Sequence, residues 1–169
     1  MDEALLIARL VLGLGLAAHG AQKLFGWFGG YGIKGTGGFM ETLGFRPGAL
    51  FATAAGLGEV GGGLLTAAGF LGPLGPALVI VTMVVAIGAV HWRNGFFNQA
   101  NGYELALVYA IGTFVLAFTG PGAYAVDPLV GIGPVSSTTT WLAVGAAVVL
   151  GLLNLAVRRP LPAASERPA

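Results

Sequence analysis

The chain has 169 residues, of which 56% are hydrophobic and 9% are charged, and its mean hydropathy is +0.83. Because an average soluble domain is about 25% charged, this composition excludes a soluble globular domain, a disordered protein and a coiled coil. The formal net charge of +1 excludes the basic stripe that binds nucleic acid. The absence of cysteine excludes thiol chemistry by this chain itself. The composition predicts an all-α, polytopic membrane protein, surrounded by a lipid bilayer and without a nucleic-acid partner.

Five apolar segments predict five transmembrane helices, since roughly 20 consecutive apolar residues cross a bilayer. They cover residues 4–25, 49–71, 73–92, 103–118 and 138–157. The second and third segments meet at Gly72-Pro73, and proline favours the first turn of a helix, so these segments predict a tight helical hairpin. The acidic start at Asp2-Glu3 and the charge of Arg9 favour a retained span over a cleaved signal peptide for the first segment.

The basic residues outside the predicted spans lie on one side of the membrane. With five spans, the loops after the first and third spans share that side with the C-terminal segment, and the opposite side carries no lysine or arginine. The positive-inside rule then places the N-terminus outside and the C-terminus in the cytoplasm of a multi-pass protein of the cell (plasma) membrane. The basic residues are Lys34, Arg46, Arg93, Arg158, Arg159 and Arg167.

The chain contains 30 glycines, and small residues allow membrane helices to approach closely. Gly58 and Gly62 form a G-x-x-x-G pattern in the second span, which predicts a close helix–helix contact. The overlapping G-x-G-x-x-G pattern does not follow a strand, so it does not indicate a dinucleotide site. The glycine-rich segment 26–48 is expected to be a loop with its aromatic residues at headgroup depth; the alternative is a lid over a cytoplasmic site.

Polar side chains inside the predicted spans carry most of the functional information, because a charged group in the bilayer costs at least about 2.5–3.5 kcal/mol. Glu59 lies roughly 15 Å, and Arg9 roughly 24 Å, from the cytoplasmic end of its span, so we predict that the two residues pair. His19 and Lys23 are four residues apart and share one face of the first helix. The full set is Arg9, His19, Gln22, Lys23, Glu59, His91 and Glu104.

Several functions fit a convergence of these residues: binding a quinone headgroup, relaying protons or fixing a partner subunit. Each residue also has a structural interpretation. Lys23 and His91 can simply reach the interface, and Gln22 can bond to a neighbouring helix. A purely structural Arg9–Glu59 pair is also open. No H-x-x-E or E-x-x-H spacing is present, so no metal site is predicted.

At these residues the sequence resembles the DoxX family of small bacterial membrane proteins. The resemblance covers roughly residues 4–130. Its motifs are residues 9–13 (RLVLG), 19–26 (HGAQKLFG), 58–62 (GEVGG), His91, 102–104 (GYE) and 120–127 (GPGAYAVD).

The resemblance implies a four-helix membrane bundle over residues 1–130, associated with oxidoreductase systems of the bacterial inner membrane. Residues 131–157 would then add a fifth transmembrane helix, and residues 158–169 a short cytoplasmic tail. Relatives in that family include small membrane subunits of thiosulfate:quinone oxidoreductase and proteins linked to oxidative-stress complexes. The absence of cysteine departs from relatives that handle sulfur through thiols.

The leading hypothesis is an integral membrane subunit of an oxidoreductase or oxidative-stress system, with quinone as its cofactor and without a complete catalytic motif of its own. The candidate catalytic residues are Glu59, Glu104, His19 and His91, the carboxylates acting as proton acceptors. The candidate quinone-binding residues are Arg9, His19, Gln22, Lys23, Glu59 and His91. The alternatives are a non-catalytic scaffold that docks a soluble oxidoreductase or forms a homo-oligomer and, less favoured, a small-solute or proton carrier.

Overall fold

The computed structural model describes residues 1–159, and in that range the chain consists of helices, turns and loops, without a strand. The predicted all-α membrane bundle is therefore confirmed. Arg167 and most of the predicted tail lie outside the described residues. The α-helices are α1 (Asp2–Phe25), α2 (Gly32–Thr42), α3 (Gly48–Ala68), α4 (Leu74–Ala86), α5 (Glu104–Thr119), α6 (Val126–Leu129) and α7 (Ser137–Ala156).

Four helical segments are long and apolar enough to cross a membrane: α1, α3, α7 and Leu74–Asn94, the last of which begins with α4. Helix α5 has 16 residues and spans about 24 Å, less than the roughly 30 Å of a hydrocarbon core. Helix α5 nevertheless runs between the same two ends of the bundle as the four longer helical segments. Its first turn follows a loop that bonds to His91, and the loop after it bonds to Gly69.

We name the two ends of the bundle after two buried charged residues: Arg9, which lies near one end, and Glu59, which lies midway along α3 and pairs with Lys23 from the other end. At the Arg9 end, α1 begins, α3 passes into α4, α5 ends and α7 begins. At the Glu59 end, α1 ends, α3 and α5 begin, and α7 ends beside the α2–α3 loop. Backbone hydrogen bonds join the elements at both ends. At the Arg9 end, the backbone N–H of Asp127 donates to the carbonyl oxygen of Gly69, and at the Glu59 end the backbone N–H of Arg159 donates to the carbonyl oxygen of Gly44.

Helices α1 and α3 run antiparallel in close contact through their glycines. A Cβ atom on Gly13 would lie 2.5 Å from the carbonyl oxygen of Gly63, and a Cβ on Gly63 would lie 2.5 Å from the carbonyl oxygen of Gly13. The same contact recurs seven residues away from Gly13 and Gly63 on their helices, where a Cβ on Gly20 would lie 2.7 Å from the carbonyl oxygen of Gly56. The two backbones therefore touch, as small residues allow in membrane helices.

The predicted G-x-x-x-G contact is also confirmed, and its partner is α4. A Cβ on Gly58 would lie 2.8 Å from the Thr82 methyl carbon, and a Cβ on Gly62 would lie 2.9 Å from the Leu78 Cβ. Helix α3 thus uses one set of glycines against α1 and another against α4, which places it at the centre of the bundle.

Segment 26–48 is not the loop that its composition predicts, because it contains α2. Four of the eleven residues of α2 are glycine, and each disfavours a helix by about 1 kcal/mol relative to alanine. Packing on α3 overrides this cost. A Cβ on Gly37 would lie 3.0 Å from the backbone nitrogen of Ala49, and the Glu41 carboxylate accepts a hydrogen bond of 3.1 Å from the Gly48 N–H.

Helix α4 does not end as a regular α-helix. It continues as the π-helical turn Ile87–His91 and then as the 3-10 turn Trp92–Asn94. A π turn changes the direction of the side chains that follow it and is common at functional sites. Here the turn leaves His91 beside the loop that leads into α5. The same loop is closed by a stacked pair, Trp92 and Tyr103, with ring centroids 5.4 Å apart.

Candidate functional site within the bundle

A cavity of about 440 Å³ lies between the helices toward the Glu59 end. Most of its wall is apolar, with Phe39 and Met40 from α2 and Phe51 from the start of α3. Four of the sequence-predicted residues line it: His19, Lys23, Glu59 and His91. Its other polar lining residues are Thr36, Thr82, Asn98, Asn101, Tyr109 and Asn154.

Lys23 and Glu59 form an ion pair in this cavity, with Lys23 Nζ 2.6 Å from Glu59 Oε2. The Glu59 side chain is 5% exposed and that of Lys23 is 27% exposed. A buried carboxylate needs a compensating partner, and the long lysine stem reaches it from the last turn of α1. Charges from two separate helices therefore meet inside the bundle.

The predicted Arg9–Glu59 pair is wrong. The contact of Gly13 with Gly63 sets Arg9 level with Ala67, eight residues or about 12 Å beyond Glu59. Helical side chains also lean toward the N-terminus of their own helix. In antiparallel helices, Lys23 and Glu59 therefore lean toward each other, whereas Arg9 leans away.

His19 is held by a short chain of hydrogen bonds. Its Nδ1 lies 3.1 Å from Oε1 of Gln22, and Nε2 of Gln22 donates a bond of 3.1 Å to the carbonyl oxygen of Phe28. Gln22 was predicted to bind the cofactor directly. The structure instead places its amide behind His19, where it does not line the cavity.

Tyr109, on α5, is the cavity residue that the sequence interpretation missed. Its ring meets the ring of His19 edge-on, with the centroids 6.0 Å apart. A Cβ on Gly15 would lie 2.6 Å from its hydroxyl oxygen, so the absence of a side chain there leaves room for that group. The available signal was a hydroxyl-bearing aromatic inside an apolar span, since tyrosines usually lie in the interfacial belts at the ends of spans.

His91 borders the cavity from the π turn. Its Nδ1 lies 2.8 Å from the carbonyl oxygen of Asn101. Glu104, predicted to accept protons in the same site, does not line the cavity. Its carboxylate accepts a hydrogen bond of 2.9 Å from the Asn98 N–H, and so it fixes the loop before α5.

Arg9 belongs to the opposite end of the bundle. It is 2% exposed, and its guanidinium donates hydrogen bonds of 2.9 Å to the carbonyl oxygens of Ala67 and Tyr124. Asp127, at the same end, accepts hydrogen bonds of 2.8 Å from two successive backbone N–H groups of the α3–α4 turn. Arg9 and Asp127 also line a second cavity of about 640 Å³, beside the glycine- and proline-rich loops that follow α5.

The cavity toward the Glu59 end is suited to an amphipathic ligand. Its volume is in the range of small-molecule sites, which are mostly apolar with a few polar groups that fix orientation. Lys23 offers hydrogen-bond donors, Glu59 an acceptor, and the histidine rings either function. Within residues 1–159, no group of three or more His, Asp or Glu side chains is arranged to hold a metal ion.

These features define a small, multi-pass, α-helical membrane protein with a ligand-sized cavity between its helices. The DoxX family model matches residues 4–92, slightly more than half of the chain, and the chain belongs to the DoxX family. Membership associates it with oxidoreductase or stress-related function in a membrane. The match contains His19, Lys23, Glu59 and His91 but ends before Tyr109, and it is shorter than the resemblance over residues 4–130. No curated protein and no solved structure matches the chain.

Proposed function

We propose that the chain is a membrane subunit of an oxidoreductase system and that the cavity toward the Glu59 end binds a quinone headgroup. The observation that carries this proposal is the buried Lys23–Glu59 pair beside His19, in a cavity whose wall is mostly apolar. A buried ion pair contributes little net stability compared with apolar packing, so its presence in a membrane bundle favours a functional role. Membership of the DoxX family supports the association with an oxidoreductase.

Each polar group has a distinct task in this site. Lys23 has N–H groups beyond the one that it gives to Glu59, and these donate to an oxygen of the headgroup. His19 contacts the headgroup through the ring nitrogen that Gln22 leaves free. Glu59 holds a proton or releases it next to the ligand. The apolar wall contacts the ring and the first part of the isoprenoid tail.

A bound quinone supplies the exchange of two electrons and two protons. The electrons pass to or from a partner oxidoreductase, which we place on the Glu59 end of the bundle. Lys34, Arg46 and Arg93 lie on elements at this end, which supports its assignment to the cytoplasm and that of the N-terminus to the outside. The cell membrane of a bacterium is the proposed location.

Quinone titration tests this proposal directly. Short-chain benzoquinone and naphthoquinone, each in its oxidised form and as the hydroquinone kept reduced under argon, are added to the purified protein in detergent micelles, and the dissociation constants are measured by calorimetry. We expect Glu59→Gln and His19→Ala each to weaken binding of the hydroquinone by about tenfold, because each loses one strong polar contact with a hydroxyl group.

The matched control is Glu41→Gln, which removes one carboxylate charge from α2 at a residue that does not itself line the cavity. It should leave the dissociation constant unchanged. Wild-type affinity in both Glu59→Gln and His19→Ala would overturn the quinone site. A protein that binds no quinone and instead co-purifies with a stoichiometric soluble oxidoreductase would favour the scaffold alternative.

A further inference from the structure

The hydrogen-bond chain behind His19 ends at a group that can only accept a hydrogen bond. The carbonyl oxygen of Phe28 accepts but cannot donate, and it lies 3.1 Å from the side-chain amide of Gln22. The amide must therefore turn its NH2 group toward Phe28, because the reversed amide would set two oxygen atoms against each other. The backbone thus determines which way Gln22 faces.

This orientation leaves Gln22 Oε1 facing the imidazole of His19, 3.1 Å from Nδ1. Oε1 has no hydrogen, so Nδ1 must carry the proton of this bond. In a neutral imidazole only one nitrogen is protonated, and Nε2 then keeps a free lone pair. Among residues 1–159, His19 has no second hydrogen-bond partner, and its ring lines the cavity.

The loop after α1 is shaped to present the Phe28 carbonyl. Phe28 has a φ of +53°, a left-handed conformation that a phenylalanine seldom adopts. Gly30 lies against the backbone and Cβ of Gln22, at a distance that only a residue without a side chain permits. Such conformations persist where the surrounding structure determines them, and this one brings the carbonyl to the amide.

We propose that Gln22 is a positioning residue that fixes neutral His19 in the tautomer with its proton on Nδ1. The ligand then meets a hydrogen-bond acceptor at Nε2. The consequence for the ligand rests on the proposed function. A lone pair at Nε2 binds a hydroxyl group and repels a carbonyl oxygen, so the site binds the hydroquinone form more tightly than the quinone.

His91 provides an internal reference, because it adopts the same tautomer for an independent reason. Its Nδ1 faces the carbonyl oxygen of Asn101 at 2.8 Å, so this nitrogen also carries the proton. The chain has two histidines, and a spectrum of the labelled imidazoles therefore contains two sets of signals. A change at Gln22 should move one set and leave the other in place.

The test is nitrogen-15 NMR of the full chain with labelled histidine, in detergent micelles, about two pH units above the ordinary histidine pKa of about 6.5. The two sets are assigned with the His91→Gln variant. In the wild type we expect both rings to be protonated at Nδ1 and unprotonated at Nε2. Gln22→Met should shift His19 to a mixture of tautomers. Gln22→Glu gives up the bond to the Phe28 carbonyl, because a carboxylate has no donor, but it should keep the Nδ1 proton, because one carboxylate oxygen can still accept it.

Two results would overturn the assignment: a wild-type His19 protonated at Nε2, or a His19 signal unaffected by Gln22→Met. If Gln22→Met does not fold, the wild-type spectrum and that of Gln22→Glu decide the question. Calorimetry of duroquinone and of its hydroquinone then tests the consequence. The wild type should favour the hydroquinone by about threefold to tenfold, and Gln22→Met should lose that preference. The expected tautomer in a protein that binds neither form would leave the Gln22 assignment standing and remove the proposed function.

Discussion

The two ends of the bundle bury a charge to the same degree and neutralise it in different ways. Arg9 is 2% exposed and Glu59 is 4% exposed. Arg9 donates to two backbone carbonyls, and Asp127 beside it accepts from two backbone N–H groups. Glu59 is bound by Lys23, a side chain that is itself partly exposed. The partners at one end are fixed by the fold, whereas the partner at the other can move.

This difference separates a structural role from a ligand-binding role. A buried charge held by backbone groups ties together the loops that supply those groups. A buried charge held by a flexible side chain can exchange part of that contact for a ligand. The comparison therefore indicates that the Arg9 end holds the connections between helices, and it supports the proposal that the Glu59 end binds the ligand.

The largest loss of stability is expected from Arg9→Met. It leaves the carbonyls of Ala67 and Tyr124 without their donor, and we expect the free energy of unfolding to fall by about 2–4 kcal/mol, since an unpaired buried acceptor costs about 1–3 kcal/mol. Unfolding in mixed detergent micelles, followed by tryptophan fluorescence, measures this quantity. Arg93→Met, at an exposed loop position, is the control and should change it by less than about 0.5 kcal/mol. An Arg9→Met protein as stable as the wild type would contradict the structural role.

A smaller loss is expected from Asp127→Asn at the same end. The amide oxygen can replace one carboxylate oxygen, but the amide NH2 group then faces the second backbone N–H. We expect a loss of about 1–3 kcal/mol in the same unfolding assay. Asp2→Asn is the matched control, because within residues 1–159 the Asp2 carboxylate accepts one N–H, that of Ala123, and asparagine can still accept it. Equal effects of the two substitutions would mean that the paired contact of Asp127 is not what stabilises this end.

Glu59→Gln should change stability by only about 1 kcal/mol although Glu59 is as buried as Arg9. The amide oxygen still accepts from Lys23, and the lysine can extend toward the interface. Ligand affinity, in contrast, should fall by about tenfold. Measuring unfolding and quinone binding on the same preparation checks both. A loss of stability as large as that of Arg9→Met would remove the distinction between the two ends.

The smallest effect on stability is expected from Tyr109→Phe, below about 0.5 kcal/mol, because no hydrogen bond within residues 1–159 uses the Tyr109 hydroxyl. The same substitution should weaken quinone binding by about twofold to fivefold if the hydroxyl contacts the headgroup. Tyr31→Phe, at a side chain exposed outside the cavity, should change neither quantity. Unchanged binding in Tyr109→Phe would exclude the Tyr109 hydroxyl from the polar part of the site.

The sequence predicts the architecture well because a bilayer imposes strong rules on span length and polarity. It predicts less about the angular position of each helix. Estimated depth along the membrane favoured Arg9 as the partner of Glu59, whereas the structure pairs Glu59 with Lys23. The choice depends on the register of Gly13 against Gly63 and on the direction in which helical side chains lean, and the register is a tertiary property.

Helix α2 and Tyr109 show two other limits of prediction from the sequence. The glycines of α2 carry a local preference for a loop, and only the surface of α3 reverses it. The position of Tyr109 inside an apolar span is unusual and visible in the sequence, but its contact with His19 comes only from the packing of α5 against α1. Local composition cannot reveal features that arise from contact between distant segments.

The direct backbone contact of α1 with α3 determines which wall of the cavity can adapt. Two helices joined through Gly13, Gly63, Gly20 and Gly56 have no side-chain layer that could repack, so they move as one body. His19, Lys23 and Glu59 all project from this body, whereas α2 and the π turn form the facing wall. On the proposed function, the site is therefore expected to be strict toward the polar head of the quinone and tolerant of the length and branching of the attached hydrocarbon.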